Sequence, residues 1–141
     1  MSWFPDLGTV SMMESGEHVR AIGWLSTAQP VPVGDVPTEF LDRLQAFATR
    51  WGDSIRALRW PAAAGKHECE LCGQCWAAGN FGVPHGGLLF VAPEMVDHYV
   101  EVHRYRPPDQ FITAVMESPL PGTDEYRAAV APFRMRSDSS A

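Results

Sequence analysis

The clearest hydrophobic periodicity in the sequence lies in residues 37–51, PTEFLDRLQAFATRW. Apolar residues recur there at i, i+1, i+4, i+7, i+8 and i+11 from Phe40, which is the spacing of one helix face. Pro37 suits a first helical turn, Glu39 favours the positive end of the helix, and Gly52 is a typical C-terminal stop. The pattern predicts a helix over 37–51 that packs one face into the core. The residues of that face are Phe40, Leu41, Leu44, Phe47, Ala48 and Trp51.

Three further helices are predicted in the second half of the chain. The first covers about 93–103, with Pro93 in its first turn and two consecutive prolines beyond its end. The next covers about 108–117, where apolar residues fall on one side. The last covers 123–130, and Thr123 can supply its N-cap.

Extended segments account for the remaining patterned stretches. Residues 9–26 predict a β-hairpin, in which 10–13 and 18–25 flank the turn-forming segment 14–16, although the second arm does not reveal its buried face. Residues 54–64 predict a short extended segment, and residues 88–92 a second strand. Together with the helices, these elements predict an α+β fold in which a small antiparallel sheet packs against three to four helices.

Length and composition favour one domain. The chain has 141 residues, of which 45% are hydrophobic and 20% charged, so it can build a core unaided. We expect a single α+β domain over 1–134 and a flexible C-terminal tail over 135–141. A bound metal would then stabilise one part of the chain rather than the whole fold.

Charge and hydropathy narrow the possible partners. The net charge is −6 and the cations are scattered, which argues against nucleic acid and leaves a protein partner as the alternative. No apolar stretch approaches the ~20 residues that a membrane span needs, and the N-terminus lacks a signal-peptide pattern. Three cysteines, two of them only two residues apart, form a poor disulfide framework and suit the reducing cytoplasm.

The cysteine-rich stretch is the strongest chemical signal. Cys69-Glu70-Leu71-Cys72-Gly73 has the form of a zinc knuckle, because two thiolates can hold one tetrahedral ion from a tight turn. His98 and His103 have the H-x4-H spacing that such sites use for their other ligands. The sequence therefore predicts a Cys2His2 zinc site that joins the 69–73 segment to the helix at 93–103.

Helix geometry complicates this ligand set. Residues five apart lie about 140° from each other on an ideal helix. His98 and His103 can share an ion only if the helix tightens or ends near His103, which is the better candidate of the two. The next candidate ligands are His67, Cys75 and His85.

Other interpretations of the same residues stay open. One such interpretation takes the cysteines and His103 as ordinary core residues. A redox C-x-x-C pair is a second interpretation, which the glycines after Cys72 disfavour because such pairs precede a helix. The Gly-rich loop GNFGVPHGG matches neither phosphate-binding motif, so its glycines are expected to serve a turn.

Several segments together resemble a known group of proteins. They are the opening W-F-P-D-L-G, then H-E-C-E-L-C, G-N-F-G, L-L-F-V-A-P-E-M-V-D-H-Y-V, H-R-Y-R-P-P-D-Q-F and P-L-P-G-T-D-E-Y. This order is similar to a family of small, uncharacterised bacterial proteins that share an H-x-C-x-x-C segment and an H-Y…H-x-Y-x-P-P segment. The resemblance implies that His67, Cys69, Cys72, His98 and His103 belong together. It implies no activity, and it does not include Cys75 and His85.

The sequence leaves three functional hypotheses, two of which depend on a zinc site. A closed four-ligand site would be structural and would make this a cytoplasmic protein-binding or adaptor module. An open three-ligand site would suit a zinc-dependent hydrolase, with Glu68, Glu70 or Glu101 as the base. An inhibitory, toxin-neutralising type of partner is the third, motivated by the acidic charge and five tryptophans.

Overall fold

A three-stranded mixed sheet organises the computed structural model, which describes residues 3–11, 15–60 and 67–134. The strands of this sheet and of a separate two-stranded ribbon are β1 (Val19–Ala21), β2 (His67–Glu68), β3 (Trp76–Ala77), β4 (Asn80–His85) and β5 (Leu88–Pro93). In the sheet, β5 is central, β1 runs parallel to it and β4 runs antiparallel to it. The ribbon pairs β2 with β3.

Helices pack against this sheet and complete the core. Within the described residues they are α1 (Thr38–Thr49), α2 (Trp51–Leu58), α3 (Val96–His103), α4 (Asp109–Glu117), α5 (Asp124–Val130) and a 3₁₀ turn (Ala131–Phe133). The predicted α+β class is confirmed. The sheet is mixed rather than wholly antiparallel, and there is one α-helix more than the three to four expected.

The predicted hairpin over residues 9–26 is wrong in its pairing. Only Val19–Ala21 of the second arm forms a strand, and its partner is β5, far along the chain. A single antiparallel bridge joins Val10 to Ser15 near the expected turn. Residues 12–14 lie outside the described part of the chain.

Burial on both faces explains why the alternation around β1 gave no clear answer. Val19 and Ala21 are fully buried, and so are Ile22 and Trp24 just beyond the strand. One edge of β1 pairs with β5, while on the other side the Leu7 N–H donates to the Ala21 carbonyl at 2.7 Å. Within β1 itself Arg20 represents the opposite face and is half-buried, so a strand of three residues is too short for its alternation to show which face is buried.

Asp6 ties the N-terminal segment to two buried elements. Its carboxylate accepts hydrogen bonds from the Gly23 N–H at 3.0 Å and from the Tyr105 hydroxyl at 2.7 Å. Burial raises the pKa of the Asp6 carboxyl, against the lowering effect of these two hydrogen bonds. Gly23 is required here because its φ is +77° and a Cβ would lie 2.7 Å from Val96 Cγ2.

The predicted helix over 37–51 is present as α1, but it ends two residues earlier. Trp51 and Gly52 belong to α2, so the expected glycine stop is wrong, as is the extended segment from 54 to Leu58. The buried residues of α2 recur at helical spacing, i, i+3 and i+4 from Ser54, which is too short a pattern to exclude a strand. Residues 61–66 lie outside the described ranges.

The Gly-rich segment is a buried strand and a turn rather than a loop. Asn80–His85 pairs with β5 along its whole length, in a hairpin closed by Gly86 and Gly87. Both turn glycines have positive φ, 59° and 80°, as a two-residue hairpin turn requires. Gly82 lets α2 pack closely on β4, because a Cβ there would lie 2.8 Å from Leu58 Cδ1.

The C-terminal half follows the sequence expectations more closely. The strand predicted at 88–92 is β5, and α4 and α5 occur where helices were expected. Pro93 remains in β5 through its pairing with Asn80, so α3 begins at Val96 instead. Thr123 caps α5 as predicted, accepting the Tyr126 N–H at 3.1 Å.

Two observations bear on broader expectations. In the described ranges, no helix is both long enough and apolar enough to span a bilayer. The division into a domain over 1–134 and a tail over 135–141 stays a prediction, and residues 135–141 lie outside the described ranges.

Buried side chains close the outer edge of β4. The Gly82 N–H donates to Ser54 Oγ at 2.9 Å, and the Tyr126 hydroxyl donates to the Gly82 carbonyl at 2.6 Å. Ser54 and Tyr126 also share a short hydrogen bond between their hydroxyl groups. Both backbone groups of Gly82 are thereby satisfied on an edge that would otherwise be open.

We expect Tyr126→Phe to lower the free energy of unfolding by about 1–3 kcal/mol, because it leaves the buried Gly82 carbonyl without its donor. Ser54→Ala should cost a similar amount. The double variant should lose less free energy of unfolding than the sum of the two single losses, since both residues belong to one network. Urea unfolding of the four proteins measures this, and an unchanged free energy in Tyr126→Phe would contradict the role of the edge closure.

Candidate metal centre

The cysteine loop, residues 69–75, connects the two strands of the β2–β3 ribbon. The Cys69 N–H donates to the Cys75 carbonyl at 2.9 Å, and the Gly73 N–H donates to the Cys69 carbonyl at 2.7 Å. Gly73 has φ +67°, which lets the chain turn back directly after Cys72. The backbone N–H of Gln74 also points at Cys72 Sγ, 3.4 Å away. These contacts give the loop the tight turn that a zinc knuckle needs.

Helix α3 carries the two histidines and ends at the second one. Arg104 has φ 58° and its N–H bonds the Tyr99 carbonyl, so the helix terminates directly after His103. The expectation that the helix ends near His103 is confirmed. The His98 and His103 ring centroids are 5.0 Å apart, so the two side chains converge despite their positions on the helix.

The structure brings the predicted Cys2His2 set together. One ligand atom from each of Cys69, Cys72, His98 and His103 lies within 4.8 Å of all the others. Cys69 Sγ is 3.5 Å from His103 Nε2, and Cys72 Sγ is 3.5 Å from His98 Nε2. Zinc–ligand distances of about 2.3 Å to sulfur and 2.0–2.1 Å to nitrogen give a tetrahedral S···N edge of about 3.6 Å. The group could therefore hold a metal ion.

Burial adjusts the protonation of these residues. It raises the pKa of the Cys69 thiol, even though backbone hydrogen bonds from Cys72 and Leu71 lower it. It lowers the pKa of His103, and the neighbouring His98 lowers it further. The neutral imidazole is the form that binds metal, whereas the thiol proton must leave when a cation binds.

Among the described side chains, Cys75 and His85 are not members of this group. Cys75 is half-buried and contributes its carbonyl to the loop, and burial raises the pKa of its thiol. His85 lies at the end of β4, where its Nε2 is 2.8 Å from Glu117 Oε1. The side chain of His67 lies outside the described part of the structure.

Sequence reasoning missed the residues that position the loop. Glu94 fixes the chain just after β3: its carboxylate accepts the Gly79 N–H at 3.2 Å, and its own N–H donates to the Gly79 carbonyl at 2.7 Å. Glu70 accepts the Thr27 N–H at 3.3 Å. The glycine at position 79 was the sequence signal for this close contact, because a Cβ there would lie 2.3 Å from the Trp51 ring.

Tyr99 is a second omission. It is fully buried on α3 between the two histidines in sequence. Burial raises its pKa strongly, and the nearby Cys69 and Glu70 add to the effect. Its ring contacts both His98 and His103, with centroid distances of 6.1 Å and 6.5 Å. Tyr99 thus packs against both imidazole rings.

The rival interpretations fit this geometry less well. Cys69 is buried as a core cysteine would be, but its sulfur faces a histidine nitrogen rather than apolar side chains alone. A redox pair usually begins a helix, whereas Cys69 and Cys72 lie in a loop between two strands. A metal centre accounts for both the sulfur positions and the convergence of the histidines.

Comparison with known proteins gives one match. No curated protein and no solved structure matches the chain. A family model described as a domain of unknown function matches residues 2–116, a range that includes all four residues of the Cys2His2 group. This agrees with the predicted membership of an uncharacterised family. The chain belongs to the family of the domain of unknown function DUF7919.

Proposed function

We propose that this domain binds one zinc ion through Cys69, Cys72, His98 and His103, and that the ion has a structural role. The observation that carries the proposal is the convergence of two sulfurs and two imidazole nitrogens within 4.8 Å. Their 3.5 Å contacts match the edges of a zinc tetrahedron.

The donor set favours zinc over other ions. Two thiolates and two imidazoles are borderline-soft ligands, which zinc prefers in tetrahedral sites. Magnesium and calcium prefer oxygen ligands, and copper(II) and nickel(II) favour tetragonal geometry. Cytoplasmic localisation fits thiols that remain reduced.

A closed ligand shell supports a structural role rather than hydrolysis. Four protein ligands fill a tetrahedron, whereas a catalytic zinc keeps one position for water. Glu70, one of the three alternative bases for a hydrolase, accepts the Thr27 N–H. The ion would instead fasten the cysteine loop to α3, where the two-residue strands β2 and β3 give little support alone.

Protein purified without a metal-affinity tag should contain about one zinc per chain. We expect Cys69→Ser to lose the metal and to lower the melting temperature on the order of 10 °C, because metal binding stabilises only the folded loop. Elemental mass spectrometry and thermal unfolding measure the two effects.

Cys75→Ser is the matched control, since it removes a thiol from the same loop but outside the Cys2His2 group. It should keep both the zinc and the melting temperature. Wild-type protein without metal under reducing conditions, or Cys69→Ser with full zinc content, would exclude this site.

Cobalt substitution distinguishes a closed site from an open one. The Co²⁺ protein should show tetrahedral visible bands and thiolate charge transfer, and added azide should not alter them because the four positions are taken. His98→Ala should make the spectrum sensitive to added imidazole. An azide-sensitive wild-type spectrum would indicate an open position and favour the hydrolase.

We further propose that the ordered loop presents a surface to a basic protein partner. Trp76 beside the loop is 61% exposed, and Val102 next to His103 is 57% exposed. Glu70 within the loop and Glu101, which precedes Val102 in sequence, are exposed carboxylates, and the whole chain has a net charge of −6. An inhibitory role would be a tight form of the same association.

Trp76→Ser should abolish recovery of a stoichiometric basic protein from the native host, because it removes the aromatic anchor of this surface. Trp3→Ser is the control, since Trp3 is also exposed, at 41%, but lies outside the loop. Quantitative mass spectrometry of captured proteins, with zinc content checked in each variant, makes the comparison. Equal recovery by both variants would exclude the surface.

A further inference from the structure

Four arginines line a pocket that contains no residue of the Cys2His2 group. They are Arg56, Arg59, Arg127 and Arg134, and one carboxylate, Asp53, lies among them. The cavity has a volume of about 420 Å³, within the range of about 300–1,000 Å³ that small-molecule sites occupy. The pocket is therefore a concave site of marked positive charge.

The arginines reach this pocket from separate parts of the chain. Arg56 and Arg59 lie at the C-terminal end of α2, Arg127 lies in α5, and Arg134 follows the 3₁₀ turn. The fold thus gathers cations that are scattered in the sequence. It produces a local positive field on a chain whose net charge is −6.

Pairing within the described residues leaves positive charge in excess. Arg56 pairs with Asp53, and Arg127 pairs with Asp124. No carboxylate among the described residues pairs with Arg59, which is exposed on the pocket wall. Each guanidinium also has five N–H donors, so the paired arginines retain donors for a ligand.

The favourable interaction of cations with helix C-termini explains the positions of two of these arginines. Cations favour the C-terminal ends of helices, and Arg56 and Arg127 lie in the last turns of α2 and α5. Arg134 is different, because its Nε donates to the Ala57 carbonyl at 3.2 Å and holds the guanidinium at the pocket from outside both helices. Helix dipoles do not require these side chains to surround one cavity.

The backbone of Gly122 completes the wall. Its φ is +88°, and a Cβ there would lie 2.8 Å from Arg50 Nη1. Arg50 in turn donates to the Pro121 carbonyl at 2.8 Å. A fifth guanidinium is thereby fixed against the residues that line the pocket.

We propose that this pocket binds a small phosphate-bearing anion. Arginine presents a planar set of donors that matches phosphate oxygens and can bind them in a bidentate manner. Several guanidinium groups around one cavity suit two linked phosphate groups better than a single carboxylate. The ligand is either free pyrophosphate or the diphosphate group of an organic molecule.

Isothermal titration calorimetry with inorganic pyrophosphate and with a nucleoside diphosphate tests the proposal. Ionic strength is held constant with chloride so that general screening does not change. We expect saturable binding of at least one probe. Tighter binding of the nucleoside diphosphate would identify an organic ligand, and tighter or equal binding of pyrophosphate a free one.

Arg59→Gln should weaken binding about tenfold or more, because it removes charge-assisted hydrogen bonds to the phosphate. Arg104→Gln is the matched control: Arg59 and Arg104 are both exposed helix C-caps, with φ 59° and 58°. Arg104→Gln removes the same charge away from the pocket. It should change the dissociation constant by no more than about twofold, which is less than the change that loss of one charge-assisted hydrogen bond would cause.

Absence of saturable binding by the wild type, or equal weakening in Arg59→Gln and Arg104→Gln, would overturn the proposal. Arg127→Gln provides a second variant if Arg59→Gln fails to fold. Zinc content is measured in every sample, so that failure of the phosphate site is distinguished from failure of the metal centre.

Discussion

The pairing of β4 with β5 is the constraint on which both halves of the candidate metal centre depend. The cysteine ribbon precedes β4 in the chain, and α3 follows β5. The antiparallel register places Asn80 opposite Pro93, so the open end of the hairpin holds these two segments side by side. The reciprocal hydrogen bonds between Gly79 and Glu94 extend this pairing by one step. Sulfurs and imidazoles that are distant in sequence therefore meet without a long connecting loop.

The outer edge of the same hairpin organises the arginine pocket. Ser54 in α2 and Tyr126 in α5 both bond to Gly82, which brings these two helices together over β4. Arg56 lies two residues after Ser54, and Arg127 directly follows Tyr126. The hydrogen bonds that close the edge of the sheet thus also bring the cations of the two helices to one cavity.

These long-range dependences explain what could be predicted from the sequence. The Cys2His2 group was recognisable because C-x-x-C-G and H-x4-H are local patterns with chemical meaning. β4 was missed because a buried strand with glycine and proline lacks alternation, and α2 was too short for its period to be recognised. β1 was paired with the wrong partner, since its true neighbour is about 70 residues away. The arginine pocket has no sequence signal, because two helices and a turn contribute to it.

The position of the candidate metal centre limits what a bound ion could stabilise. The hydrophobic core extends from Val19 to Val130 and includes residues of both β4 and β5, whereas Cys69 alone of the Cys2His2 group is fully buried. A two-stranded ribbon as short as β2–β3 is marginal by itself in water. An ion at this site would therefore act mainly on the cysteine loop and leave the sheet and its helices folded by their own packing. Because Trp76 lies directly after that loop, metal occupancy and the shape of the exposed surface would be physically coupled.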